Sequence, residues 1–270
     1  MQELAGQVAV ITGAASGLGE GIALASQQAG MRLVLADIDG EGLERVASAL
    51  RAAGAEVVAA PTDVSDAASF EELAARAYEA FGEVNVLFNN AGVMRVGSIE
   101  ESTDSDWRWL LDVNLLGPVH GIQAFLPRMR EQEGDAHIVN TASMAGVVAL
   151  PTSPSNAAYC ASKFAVVGLS EVLREEVAPH GIGVSVICPG PVQTRIFQSE
   201  RNRPERYGGP EQSGVAALHD DERMDPRECG QRILRGLQSG HFYIFTHQQR
   251  HRERIEQRSR EMLADFEGLD

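Results

Sequence analysis

The sequence predicts a doubly wound α/β fold: a parallel sheet of seven strands with helices on both faces. Three observations predict it. Short apolar runs alternate with longer stretches of helical periodicity along nearly the whole chain. The first run, Val8–Ile11, stops at a glycine-rich turn, Gly13-x-x-x-Gly17-x-Gly19, which opens a helix. The second run, Arg32–Ala36, is closed by Asp37, twenty residues past Gly17.

In the first unit, Gly13 allows a tight turn, Gly17 the close approach of a phosphate, and Gly19 a helix lying near the strand. Backbone N–H groups and the N-terminus of helix Gly21–Ala29 then converge on one spot, where a pyrophosphate fits. The next helix, Glu41–Ala53, buries Leu43, Val46, Ala47 and Leu50 and ends at Gly54. Strand Glu56–Ala60 leads to Asp63, and Ser65 is placed to cap a helix running through Phe81. Strand Val84–Phe88 ends in Asn89-Asn90-Ala91-Gly92. Asp104–Glu131 is helical with an interruption near Gly117-Pro118. Strand His137–Thr141, helix Ala158–Ala178, and strands Gly183–Cys188 and His241–Phe245 complete the alternation. One domain is expected over residues 1–270, with a substrate lid at about 194–225 and a helical tail at about 247–266. In that tail Ile255, Met262, Leu263 and Phe266 form a narrow apolar stripe, read as a contact between subunits.

A chain of 270 residues with 44% hydrophobic content can bury a full core. Its net charge of −15 argues against a nucleic-acid surface. No run has membrane-spanning length and no cleavable leader pattern is seen, so a cytoplasmic protein is expected. Cys160, Cys188 and Cys229 are odd in number and lack metal or redox spacing, which fits a reducing compartment. His247 and His251 have helical ligand spacing without an evident third ligand, so no metal is expected.

Two candidates for proton chemistry stand four apart on one helix face, Tyr159 and Lys163. A free phenol titrates near 10, and an adjacent ammonium favours the phenolate. Ser143 follows a buried strand and is placed to share a substrate oxygen with the phenol. Asn114, in an apolar helical stretch, needs hydrogen-bond partners; the plain reading is a core amide bridging two backbones.

Taken together, Thr12-Gly13-x-x-x-Gly17-x-Gly19, Asp63, Asn89-Asn90-Ala91-Gly92, Asn114, Ser143, Tyr159-x-x-x-Lys163 and Pro189-Gly190 resemble the short-chain dehydrogenase/reductase family in its compact form. The resemblance runs unbroken from about Leu4 to Thr194. It implies a Rossmann fold and Tyr159 as general acid/base, with Ser143 orienting the substrate carbonyl or alcohol. Lys163 would bind the nicotinamide ribose and lower the tyrosine pKa, and Asn114 would hold a water in a relay through Lys163. It further implies cofactor contacts from Gly13, Ser16, Gly17, Leu18 and Gly19 in the turn, and from Asp37 and Ile38 after the second strand. Asp63 and Val64, then Asn90, Ala91 and Gly92, follow at the next strand ends, with Tyr159, Lys163, Pro189, Gly190, Val192 and Thr194 beyond. Substrate contacts fall to Met94, Ser143, Met144 and Tyr159.

Asp37 suits a ribose diol and repels a 2′-phosphate, and Ser16 and Ile38 stand where phosphate-preferring relatives carry Arg or Lys; NAD is the expected cofactor. The expected function is hydride transfer between NAD and a secondary alcohol or ketone, aromatic (benzylic) or alicyclic, in a homodimer or homotetramer. The alternatives are a non-catalytic NAD-binding regulator and an epimerase or dehydratase. An apolar pocket is expected from Val93, Met94, Met144, Val147, Leu150, Phe197 and Tyr207, with Arg95 and Arg195 near any acidic substrate group. Two features depart from the family pattern: a longer Ser143–Tyr159 spacing through Pro151–Asn156, and the charged tail. That tail looks like the ending of members that oxidise benzylic alcohols of lignin-derived aromatics.

Overall fold

Strand β1, Val8–Thr12, is buried throughout, and its residues alternate between two cores. Val8 and Val10 face one side of the sheet with Val34, Phe70, Trp109, Phe125 and Ile138. Ala9 and Ile11 face the other with Leu35, Ile22, Leu43 and Ile233. A strand covered on both faces needs apolar residues at every position, which is why its sequence is a continuous run. The computed structural model describes residues 2–149, 156–211, 223–247 and 251–267.

The sheet has seven parallel strands in the order β3-β2-β1-β4-β5-β6-β7. Besides β1 these are β2 Arg32–Asp37, β3 Val57–Pro61, β4 Val86–Asn89, β5 His137–Thr141, β6 Gly183–Cys188 and β7 Tyr243–Phe245. The helices are α1 Gly17–Gln28, α2 Gly40–Ala52, α3 Ala67–Phe81, α4 Asp104–Leu111, α5 Gly117–Glu131, α6 Ala157–Val177, α7 Pro226–Gln238 and α8 Arg252–Glu267. The doubly wound fold is therefore as expected, and strand ends differ from expectation by one or two residues.

Two local expectations are corrected. Asp66, not Ser65, caps α3: its carboxylate accepts from the Ala68 N–H at 3.1 Å, while the Ser65 hydroxyl is spent on Asp63 at 2.6 Å. The break in the long central helix is a π-turn over Asp112–Leu116, just before Gly117. Such a turn widens the helix locally and recurs at functional sites; here it carries Asn114, which is fully buried.

The parallel register aligns every strand's carboxyl end along one edge, with Thr12 beside Ala36, Asn89 beside Asn140 and Thr141 beside Ile187. Thr12 knits this edge together: its hydroxyl accepts from the Asn90 and Ala91 N–H groups at 2.9 and 3.0 Å. Ligands of open α/β sheets bind at that edge.

Candidate active site

A cavity of about 510 Å³ runs along the carboxyl edge. Its floor at one end is the turn from β1 into α1. Gly19 is compulsory there, because a Cβ would stand 2.0 Å from the Gly13 carbonyl oxygen. Gly17 has φ +60, and a Cβ on it would meet the Thr194 side chain at 3.0 Å, so this turn is held under the strap that follows β6. Ser16 occupies the N-cap of α1 without a side-chain cap, which leaves the first-turn N–H groups facing the cavity. These groups fit the pyrophosphate of a dinucleotide.

At the other end three side chains converge on the cavity: Ser143 after β5, and Tyr159 and Lys163 one turn apart on α6. A Cβ on Gly146 would sit 2.4 Å from the Lys163 carbonyl oxygen, so the Ser143–Gly146 turn lies directly on α6. The Ser143 hydroxyl lies near enough to Tyr159 to favour its phenolate. Lys163 Nζ donates to the Thr141 carbonyl at 2.8 Å and lies 5.8 Å from the centre of the Tyr159 ring. Burial pushes the Tyr159 phenol up to about 12 against the Ser143 hydroxyl, and burial pushes the Lys163 ammonium down to about 8. Desolvation is the largest influence on the phenol and acts against the lowering by Lys163 that the resemblance implies.

Asn114 Oδ1 accepts from the Val93 N–H at 2.8 Å, and its Nδ2 donates to the Val93 carbonyl at 2.9 Å and to Ser162 Oγ at 3.0 Å. It bridges α4–α5 to the loop after β4. A Cβ on Gly92 would meet both Asn114 Oδ1 and Lys163 Nζ, at 3.3 and 3.4 Å, so the two polar atoms flank one point.

At the turn's far side, Asp37 accepts from the Ala15 and Asp39 N–H groups, both at 2.9 Å, and its carboxyl is raised by burial. Ile38 is half-exposed beside it and lines the cavity. Asp63 also lines the cavity and is paired with Arg206 at 2.7 Å. Val64, Asn90, Ala91, Gly92, Pro189, Gly190, Val192 and Thr194 complete the expected lining.

Known proteins match this arrangement. The short chain dehydrogenase family pattern covers residues 7–205. The chain belongs to the short-chain dehydrogenase/reductase family. It is 33% identical to the CLA biosynthesis dehydrogenase/reductase of Lactiplantibacillus plantarum, over 98% of this chain and 96% of that protein. A short-chain dehydrogenase/reductase from Burkholderia phymatum in complex with NAD superposes with a TM-score of 0.90 at 39% identity, covering 98% of this chain and 97% of that one. A metagenomic short-chain oxidoreductase in complex with NADP gives a TM-score of 0.65 at 37% identity, covering 71% and 85%. The protein is an oxidoreductase of this family.

On the substrate side of this short-chain dehydrogenase/reductase, the apolar pocket expected from the sequence needs several corrections. Val93, Met94, Met144 and Phe197 line the cavity, but Val147 packs into the core against α6 and Tyr207 is buried with its hydroxyl on Asp112 at 2.7 Å. Leu150 lies outside the described residues. Arg95 does not face the cavity: it is held by Asp106 at 3.2 Å, Glu211 at 3.1 Å and Glu200. Arg195 does line it.

Sequence reasoning missed Trp109, Val113, Arg201, Arg223, His251 and Arg254, all in the lining. Trp109 and Val113 look like ordinary core residues in a helical pattern. Arg201 and Arg223 sit in segments with no fixed periodicity, and the helical spacing of the tail does not say where His251 and Arg254 meet the body, so only the folded chain brings them to the cavity. The strap after β6 forms short 3-10 turns over Ile196–Asn202 and Glu205–Tyr207. Arg203 joins it to α4 by an ion pair with Asp106 at 2.7 Å, both side chains buried. The first turn of α8 reaches the cavity, and Ile255 packs against the cluster that contains Met144 and Val166, whereas Met262, Leu263 and Phe266 are exposed.

Proposed function

We propose that this enzyme transfers hydride between NAD and a secondary alcohol or its ketone, with Tyr159 as the proton donor and acceptor. The observation that carries the reading is the Ser143–Tyr159 hydroxyl pair facing the same cavity as the open N-terminus of α1 and the Asp37 carboxylate. The turn residues Gly13, Ser16, Gly17, Leu18 and Gly19 would hold the pyrophosphate, and Asp37 would accept hydrogen bonds from the adenosine ribose diol. When bound, the nicotinamide supplies or accepts the hydride.

The remaining work falls to the chain. Ser143 and Tyr159 place two hydroxyls on one substrate oxygen, which fixes its carbon relative to the cavity wall. A phenol pushed up to about 12 is protonated at neutral pH and ready to donate to a developing alkoxide. Lys163, tied to the Thr141 carbonyl, holds a cation beneath the ring and is placed for the nicotinamide ribose. Asn114 fixes Val93 by both backbone groups and, beside Lys163 across Gly92, is placed for a water relay. Met94, Trp109, Val113, Met144 and Phe197 favour an apolar substrate such as a benzylic or alicyclic alcohol.

We read the chain as one domain with a lid over about 194–225, of which 212–222 lie outside the described residues, acting in the cytoplasm as a homodimer or homotetramer. The exposed Met262, Leu263 and Phe266 stripe of α8 would supply a subunit contact. Light scattering on a chain ending at Arg250 should then show a lower mass. The function is tested by incubating the protein with NAD and a panel of secondary alcohols and following NADH. Turnover of at least one apolar alcohol is expected; NAD binding with no turnover across the panel would leave a non-catalytic regulator instead.

A further inference from the structure

Arg201 stands in the strap, yet it lines the same cavity as Asp37 and Ile38. Its Nη1 donates to the Arg195 and Gln198 carbonyls at 3.2 and 2.9 Å, which fixes the guanidinium from behind. Its Nε is buried and has no hydrogen-bond partner. A buried guanidinium N–H without an acceptor costs free energy, so the donor capacity of Arg201 is not filled by its two carbonyl bonds. The charge lies within electrostatic range of Asp37 and Asp39, the carboxylates that flank the adenosine ribose position.

Its neighbours hold it there. Ser199 Oγ accepts from the Met94 N–H at 3.2 Å, and Glu200 pairs with Arg95. Arg203 pairs with Asp106 and Arg206 with Asp63, each at 2.7 Å. Arg201, between these anchors, is bonded to two strap carbonyls and has no ion pair to a carboxylate among the described residues, and its charge acts on Asp37. A side chain so held loses little further freedom when it meets a ligand.

We propose that Arg201 is a cofactor-selecting residue that receives a 2′-phosphate on the adenosine ribose, so that Asp37 does not exclude phosphorylated dinucleotides. The inference rests on the reading of the Asp37 turn as the dinucleotide site. Asp37 repels a 2′-phosphate, and Arg201 supplies a positive group on the opposite wall that offsets the repulsion. Selection for NAD is then shallow, and it is set by two residues that lie 164 positions apart.

The test uses the adenosine half alone. Adenosine 5′-monophosphate and adenosine 2′,5′-bisphosphate are titrated by calorimetry into the full-length protein and into Arg201→Gln and Arg201→Lys. Both compounds should bind the parent protein, with affinities within about tenfold of each other. Arg201→Gln should weaken the bisphosphate by about tenfold to a hundredfold, the loss of one charged hydrogen-bonding partner, and the monophosphate by no more than about threefold. Arg201→Lys, which keeps the charge, should recover part of the loss and shows that the strap still folds. The kcat/KM ratio for NADP over NAD should fall in parallel. Equal weakening of both compounds would place Arg201 on the shared 5′-phosphate and overturn the proposal, as would an unchanged bisphosphate affinity in Arg201→Gln. Binding of the monophosphate without the bisphosphate to the parent protein also overturns it, while leaving the dinucleotide site intact. Failure of both to bind removes the site and the proposal together.

Discussion

Ser143, Tyr159 and Lys163 and the strap of residues 194–211 border one cavity, but different forces hold them. The first group stands on the sheet edge and one helix: Lys163 is tied to a strand carbonyl, Ser143 follows β5, and the α6 periodicity stacks Tyr159 over Lys163. The strap has no such lattice. It is fastened to the body by Arg95, Glu200, Asp106, Arg203, Asp63 and Arg206, partners from 97 to 143 residues apart in the chain where their bonds are closest. Backbone hydrogen bonds and packing keep a site in place regardless of side-chain charge. Buried ion pairs do so only while both partners remain, since a lone buried charge is costly.

The largest expected effect lies in the first region. Tyr159→Phe removes the transferable proton and little volume, so turnover should fall by about 10²–10⁴-fold while NAD affinity stays near that of the parent. Steady-state rates and NAD titration check it; near-normal turnover would take the acid/base role away from Tyr159.

The strap should fail by another route. Arg203→Met leaves Asp106 buried with one arginine fewer, at a cost of about 3–5 kcal/mol if the pair acts as buried pairs usually do. Limited proteolysis within 194–211 should accelerate, with KM rising more than kcat falls. An unaltered cleavage rate would mean that the charges do not hold the strap, and the contrast between the two regions would collapse.

Acid separates the regions too. Burial raises the Asp63 and Asp106 carboxyls, but hydrogen bonds from Ser65 and Arg206, and from Thr103 and Arg203, outweigh it and hold both below the ordinary value. Both carboxyls therefore stay ionised in more acid than a free aspartate does, and the contacts persist in mild acid. The sheet weakens earlier: burial pushes the His137 imidazole down to about 4 from 6.5. Between those values the unfolded chain binds the extra proton, so stability falls as the pH drops through the window, by up to about 3 kcal/mol at its lower end. Urea unfolding at pH 7 and pH 5 should show the decline, and His137→Gln should flatten it.

A smaller effect concerns the cofactor. Asp37→Ala should shift the kcat/KM ratio toward NADP by about tenfold to a hundredfold, enough to reverse a shallow preference for NAD, because it removes the diol contact and the repulsion together. The ratio of kcat/KM values reads it directly, and a constant ratio would move adenosine recognition away from Asp37.

Much of the candidate site was legible beforehand. Apolar runs marked the strands because each is covered on both faces; the glycine turn, Asp37, Asp63, Asn90, Ser143 and Pro189-Gly190 fell at their ends by position alone, and Tyr159-x-x-x-Lys163 fell on one helix face. Arg95 shows where such reading stops. An arginine beside the predicted pocket was expected to face a substrate, yet Asp106, Glu200 and Glu211 claim it. No spacing in the sequence pairs those residues, because an ion pair has no period. Tyr159 is a second case: its place followed from helical spacing, while its proton affinity followed from burial.

By itself the sequence determined the alternation of strands and helices, the edge where a ligand binds and the residues along it. Those properties are written in local periodicity, turn chemistry and short spacings. Only the tertiary structure decided which arginines reach the cavity, how the strap is fastened, and that the phenol is driven upward rather than down. Burial and long-range charge pairing depend on which distant segments meet, and that is fixed only when the whole chain packs.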